Sequence, residues 1–126
     1  MIPKILLIDD DVLVLKTLRR LLLKKGYEVE DVKTADDGLQ KVKSQSFQLI
    51  LCDLRMPKVN GIEFIRSVRK IEADKNQITP VIFMTGYTDE DMQIEAEKLK
   101  PAAYLLKPFN IDLVIESIEK ILATGN

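Results

Sequence analysis

Two adjacent acids, Asp9 and Asp10, follow the first apolar run of this chain, and a third, Asp53, follows another. The hydroxyl of Thr85 ends a third such run and the ammonium of Lys107 ends a fourth. Three carboxylates brought together repel one another. Each pair at ~4 Å costs about 1 kcal/mol in bulk water and about 4 kcal/mol at a near-surface dielectric. A hard divalent cation relieves that cost, and Mg²⁺ suits two carboxylates with carbonyl and water ligands. Mg²⁺ beside a carboxylate and a lysine is a place for a phosphoryl group. Metal and ammonium neutralise the transferring oxygens, and the carboxylate can attack phosphorus to give an aspartyl phosphate.

Composition narrows the chemistry further. The 126 residues hold 20 acids, 19 bases and no histidine. The commonest general base and metal ligand is therefore missing, and with it any Ser-His triad. A net charge of −1 lacks the basic excess that nucleic acid or an anionic membrane surface would require. One cysteine excludes an intramolecular disulfide framework and favours a reducing compartment. The apolar stretch 5–8 runs straight into acids, too short for a signal peptide, and no run approaches the ~20 residues of a membrane span. The expected location is the cytoplasm, without membrane insertion or direct nucleic-acid binding.

The elements that must position these groups alternate five times. Residues 4–8, 49–52 and 81–84 are continuous apolar runs, the mark of strands buried on both faces. Residues 27–33 mix Val29 and Val32 with three acids and read as a half-exposed second strand; residues 102–106 read as a fifth. Between them, Val14, Leu15, Leu18, Leu21 and Leu22 recur at helical spacing, with Gly26 as a left-handed stop. Helices follow at 36–44 and 61–71. Thr88 with Asp91 predicts a capping box for a fourth helix, and Asn110 caps a fifth carrying Ile111, Val114, Ile115, Ile118 and Ile121 on one face. Five strand–helix units make a doubly wound parallel α/β sheet with right-handed crossovers. The polar second strand belongs at an edge, which favours the order 2-1-3-4-5. Ligands then bind beyond the carboxyl ends of strands 1 and 3, where Asp9, Asp10 and Asp53 stand.

Each residue alone has an ordinary explanation. Asp10 or Asp11 can cap the first helix, Lys107 can be a surface lysine, Thr85 a strand-end hydroxyl, and Cys52 core packing. Asp53 has no nearby helix end to cap. Five such residues converging on one location is the less ordinary outcome.

The motifs Ile8-Asp9-Asp10-Asp11, Asp53-Leu54-Arg55-Met56-Pro57-Lys58-Val59-Asn60-Gly61, Thr85-Gly86 and Tyr104-Leu105-Leu106-Lys107-Pro108-Phe109 occur in this order. By them the chain resembles the receiver domain of bacterial two-component response regulators, chemotaxis-receiver-like, over essentially its whole length. The resemblance implies a flavodoxin-like (βα)5 three-layer sandwich, one receiver domain over residues 1–126 and no output domain in this chain. It implies Asp53 as phosphoacceptor and Mg²⁺ held by Asp10, Asp53 and the Arg55 backbone carbonyl, with Asp9 acting through water. Lys107 would pair with phosphoryl oxygens, next to a Lys107–Pro108 peptide that is cis in the family. Thr85 and Tyr104 would be the switch pair, and Pro57 and Gly61 would shape the loop under the site. The implied partners are a sensor histidine kinase or histidine phosphotransfer protein, which brings the missing histidine, and an output protein or domain. The implied state is a monomer or a phosphorylation-dependent dimer through helix 4, strand 5 and helix 5.

Three departures from the family pattern stand out. Residues 29–34 form a longer segment than usual, Lys100-Pro101-Ala102 replaces a glycine–alanine pair, and Arg55 and Tyr87 occupy positions that tune phosphoryl lifetime. The expected function is a phosphorylation-controlled switch that catalyses only its own phosphorylation and dephosphorylation. A phosphorylation-independent interaction module is the alternative. An aspartyl-phosphate phosphatase of the haloacid-dehalogenase type would need an acid where Arg55 stands. A flavin site would need a Ser/Thr-rich loop in place of the acids after strand 1.

Overall fold

The computed structural model describes residues 2–86 and 90–124. The elements are β1 (Lys4–Ile8), α1 (Val12–Lys24), β2 (Glu28–Val32), α2 (Ala35–Ser44), β3 (Leu49–Asp53), α3 (Gly61–Ala73), β4 (Val81–Thr85), α4 (Glu90–Lys98), β5 (Ala103–Leu106) and α5 (Ile111–Thr124). The five strands are parallel in the order β2-β1-β3-β4-β5, as the edge argument predicts. The strands extend to Asp53 and Thr85 themselves, so both residues are fixed by sheet pairing.

Alternation along the strands explains the layers. Leu6, Ile8, Ile50 and Cys52 face one way and pack with Phe64, Ile65 and Val68 of α3. Ile5, Leu7, Leu49 and Leu51 face the other and pack with Leu15, Leu18 and Leu22 of α1 and Val114 and Ile118 of α5. Period-2 side-chain direction thus turns uniformly apolar strands into two cores separated by the sheet.

The long segment after α1 leaves the second strand undistorted: the β1–β2 register runs regularly from Lys4↔Glu28 to Ile8↔Val32. Its acids meet the long side chains of the flanking helices. Arg19 of α1 reaches Asp31 at 2.6 Å, and Lys41 of α2 reaches Glu30 at 2.8 Å. The Lys100 position keeps the left-handed backbone that glycine would adopt, at φ 53°, and closes the turn after α4. Gly26 is left-handed as expected, at φ 93°. Of α4, only Ala96 is buried; Met92 and, just past the helix end, Leu99 are half-buried, while Ile94 is exposed. An exposed ion pair, Arg66 to Glu95 at 2.8 Å, bridges α3 to this helix. The Thr88 cap expected for α4 lies outside the described residues.

One buried acid was invisible to the sequence reading. Glu72, near the end of α3, accepts hydrogen bonds from the Thr79 N–H at 2.9 Å, from the Thr79 hydroxyl and from Arg69 Nη1 at 2.5 Å. It ties the α3–β4 turn to the start of β4. Glu72→Ala leaves a buried N–H without its acceptor and is expected to cost about 2–4 kcal/mol. Urea unfolding would register this as a lower midpoint at an unchanged slope.

Candidate functional site

The site grows from the carboxyl ends of β1, β3, β4 and β5. Asp9 is the first residue past β1, Asp53 the last of β3, Thr85 the last of β4, and Lys107 the first past β5. Backbone bonds carry the sheet beyond its formal ends: the Leu54 N–H donates to the Met84 carbonyl at 2.9 Å, and the Lys107 N–H to the Thr85 carbonyl at 2.8 Å. The Lys107–Pro108 peptide is cis, as the family resemblance implies.

The choice left open between Asp10 and Asp11 is resolved. Asp11 is the N-cap of α1, its carboxylate accepting from the Leu13 and Val14 N–H groups. Asp9 Oδ1 in turn accepts the Asp11 N–H at 2.9 Å. The helix end is satisfied, and Asp10 is free of that task.

The loop from Asp53 to α3 is held from two sides. Asn60 and Glu63 form a reciprocal capping box at the start of α3. The Gly61 N–H donates to the Leu54 carbonyl at 2.9 Å. A Cβ on Gly61 would stand 2.3 Å from the Asp53 carbonyl oxygen, so only glycine lets the helix start this close to the strand end. The sequence Asn60-Gly61-Ile62-Glu63 carries the capping-box spacing and could have announced this helix start. Nothing in it announces the Gly61 approach.

Asp9, Asp10 and Asp53 bring one carboxylate oxygen each to within 4.8 Å of one another. Asp9 is fully buried and Asp53 nearly so, while Asp10 is exposed. Lys107 Nζ lies 2.7 Å from Asp9 Oδ2 and 3.5 Å from Asp53 Oδ1. Burial and the charge of Asp9 push the Asp53 carboxyl up from 3.8 to about 7; Lys107 and the Arg55 backbone N–H that donates to it resist that rise only partly. Burial on its own would lower Lys107, but its hydrogen bond to Asp9 and the two neighbouring carboxylates raise it. The lysine therefore stays charged. The all-oxygen donor set fits a hard divalent cation and offers nothing to a soft one.

The remaining expected residues are close by. Thr85 is buried at the strand end. Tyr104 is half-buried and packs against the core on the α3 side. The Arg55 side chain is exposed. Cys52 is fully buried with its sulfur against the Asp53 and Gly61 carbonyls, and burial raises its thiol well above the usual range, so it is core as expected. Tyr87 lies outside the described residues.

A doubly wound sheet whose switch-point crevice is built from carboxylates and a lysine defines the class, a flavodoxin-like α/β domain with an acidic oxygen site. Within that class, the chain belongs to the response regulator receiver domain family, whose model matches residues 5–119. It is 34% identical over 119 residues to the transcriptional regulatory protein ZraR of Salmonella typhimurium, covering 94% of this chain and 26% of that protein. The chain thus spans about a quarter of the length of that relative. The crystal structure of a CheY-like response regulator receiver domain protein from Methanospirillum hungatei superposes with a TM-score of 0.91 at 30% identity, over 99% of this chain and 97% of that one. A response regulator from Burkholderia pseudomallei, solved with a phosphorylated aspartic acid, a calcium ion and citrate, gives 0.81 at 25% identity over 96% and 69%.

Proposed function

We propose that this domain is a phosphorylation-controlled signalling switch whose Asp53 accepts a phosphoryl group from the phosphohistidine of a sensor kinase or phosphotransfer protein. The observation that carries this reading is one buried carboxylate, Asp53, with two further carboxylates within 4.8 Å and an ammonium at 3.5 Å. An Asp53 oxygen forms the new bond to phosphorus as the phosphorus–nitrogen bond of the donor breaks. Lys107 neutralises a phosphoryl oxygen, and Asp9 holds Lys107 in place. Asp10 and Asp53 with the Arg55 carbonyl, and Asp9 through water, would hold Mg²⁺, which when bound would supply countercharge to the phosphoryl oxygens. The protein catalyses only the gain and loss of its own phosphoryl group. The phosphorylated aspartic acid and calcium ion of the Burkholderia relative support both assignments.

Charge added at Asp53 would be answered by Thr85 and Tyr104 and passed to the surface of α4, β5 and α5, where an output protein or domain binds. The slight burial of α4 supports its role as the moving part. An apolar groove of about 470 Å³, lined by Leu13, Val14, Phe109 and Ile111, opens beside Lys107 and suits the donor protein. No helix among the described residues is long and apolar enough to cross a membrane; the cytoplasm is the proposed location.

Incubation of the folded domain with Mg²⁺ and acetyl phosphate should add one phosphoryl mass by intact-protein mass spectrometry, and chelation of the metal should abolish it. Failure to gain that mass with Mg²⁺ present would refute the reading.

A further inference from the structure

The loop that carries Asp53 contains a residue in a costly conformation. Lys58 has φ 70°, and across it the Val59 N–H donates to the Pro57 carbonyl at 2.8 Å, the hydrogen bond of a γ-turn. A residue with a Cβ is strained there and glycine is not. Such strain at a functional site is a reason to ask what the side chain does. Lys58 lines a pocket of about 400 Å³ together with Lys33, Asp36 and Asp10. Asp10 in turn reaches to within 4.8 Å of the Asp53 carboxylate. Lys33 and Lys58 are both exposed, at the tips of the loops that follow β2 and β3.

The crevice poses an electrostatic problem for the function proposed above, on which this inference rests. Among the described groups three carboxylates face one ammonium, whereas the phosphodonor arrives as an anion. We propose that Lys33 and Lys58 form a cationic rim that draws the anionic phosphodonor into the crevice, and that the strained backbone at residue 58 is retained for the charge it carries. Both lysines line the pocket at Asp10, while Lys107 holds Asp9 and Asp53, so they act on approach and discriminate donors by charge. Asp36 offsets part of the field, which leaves the rim a net single positive charge once Asp10 serves the metal.

A rim charge steers a dianion with twice the energy with which it steers a monoanion, and salt screens both. Acetyl phosphate and phosphoramidate supply the two cases at pH 7. In the first, Asp53 attacks phosphorus and acetate leaves with the electrons of the phosphorus–oxygen bond; in the second, the phosphorus–nitrogen bond breaks and ammonia leaves after taking a proton. Lys58→Gly, which relieves the strain, should slow uptake from acetyl phosphate about three- to tenfold at low ionic strength. Uptake from phosphoramidate should fall only about two- to threefold. Lys33→Ala should act in the same direction, Lys58→Arg should restore the rate, and high salt should erase the differences. Wild-type rates in both Lys33→Ala and Lys58→Gly would overturn the inference while leaving the function standing. So would a loss equal for both donors, indifferent to salt and not rescued by arginine, because it would place the effect in the loop backbone. A wild-type protein that takes up nothing from either donor would instead overturn the function itself.

Discussion

Asp53→Asn is expected to abolish the phosphoryl uptake proposed above and at the same time to stabilise the metal-free domain at neutral and alkaline pH. The sign follows from the native carboxyl, which titrates near 7 against a reference of 3.8. Between these values the native state holds more protons than the unfolded state, so stability falls as pH rises through that window. Above it the wild type carries a buried charge beside Asp9, and asparagine removes that charge. The gain is on the order of 2 kcal/mol above pH 7 and fades towards pH 4. In melting temperature it amounts to several degrees. Mg²⁺ is expected to reverse the ranking, because a cation bound to the native state would stabilise the wild type by mass action and the variant would lack a donor. Thermal unfolding at several pH values, with chelator and with Mg²⁺, checks all three statements. Parallel curves for wild type and variant across pH would show that Asp53 bears no such burden.

Gly61→Ala is expected to do the opposite, harming the fold and the site together. The added Cβ meets the Asp53 carbonyl oxygen at 2.3 Å, Cys52 Sγ at 3.0 Å and Leu54 Cα at 3.0 Å. Two of these atoms are backbone, pinned by the Gly61–Leu54 and Leu54–Met84 hydrogen bonds. The helix start or the strand end must move. A cost of about 3 kcal/mol follows, or roughly 10 °C in melting temperature. The fraction that still folds presents Asp53 displaced from Lys107, and its phosphoryl uptake falls further than its stability accounts for. Gly86→Ala is the control: among the described residues its Cβ would meet only Lys107 Cβ, at an ordinary 3.8 Å.

Much of this was legible in the sequence because the signals are local. Runs such as residues 49–52 and 81–84 are apolar without a break, so both faces had to be covered, and the acids in β2 put that strand at the edge. The convergence of Asp9, Asp10, Asp53, Thr85 and Lys107 followed from the strand order, and the geometry brings them together. What escaped depends on pairing at a distance. Nothing near residue 9 shows that its carboxylate is taken by Lys107, 98 positions away. Nothing near Glu72 shows that Thr79 will bury it. The burden on Asp53 depends on depth as well as on neighbours, and depth exists only once the sheet is assembled. Asp11 as the cap was a choice between two adjacent acids that only backbone direction could make.

The Lys107–Asp9 pair joins the first strand of the sheet to the last. On the proposed function, it therefore sets a point in synthesis before which the site lacks its cation. As synthesis proceeds, the acids at 9, 10 and 53 emerge early, whereas the cation that faces them comes after more than four-fifths of the 126 residues have been made. A nascent chain stopped short of residue 107 has the three carboxylates but not the ammonium that pairs with Asp9 and Asp53. On the function proposed above, a copy of the domain that lacks residue 107 is expected to draw no phosphoryl groups from its donor.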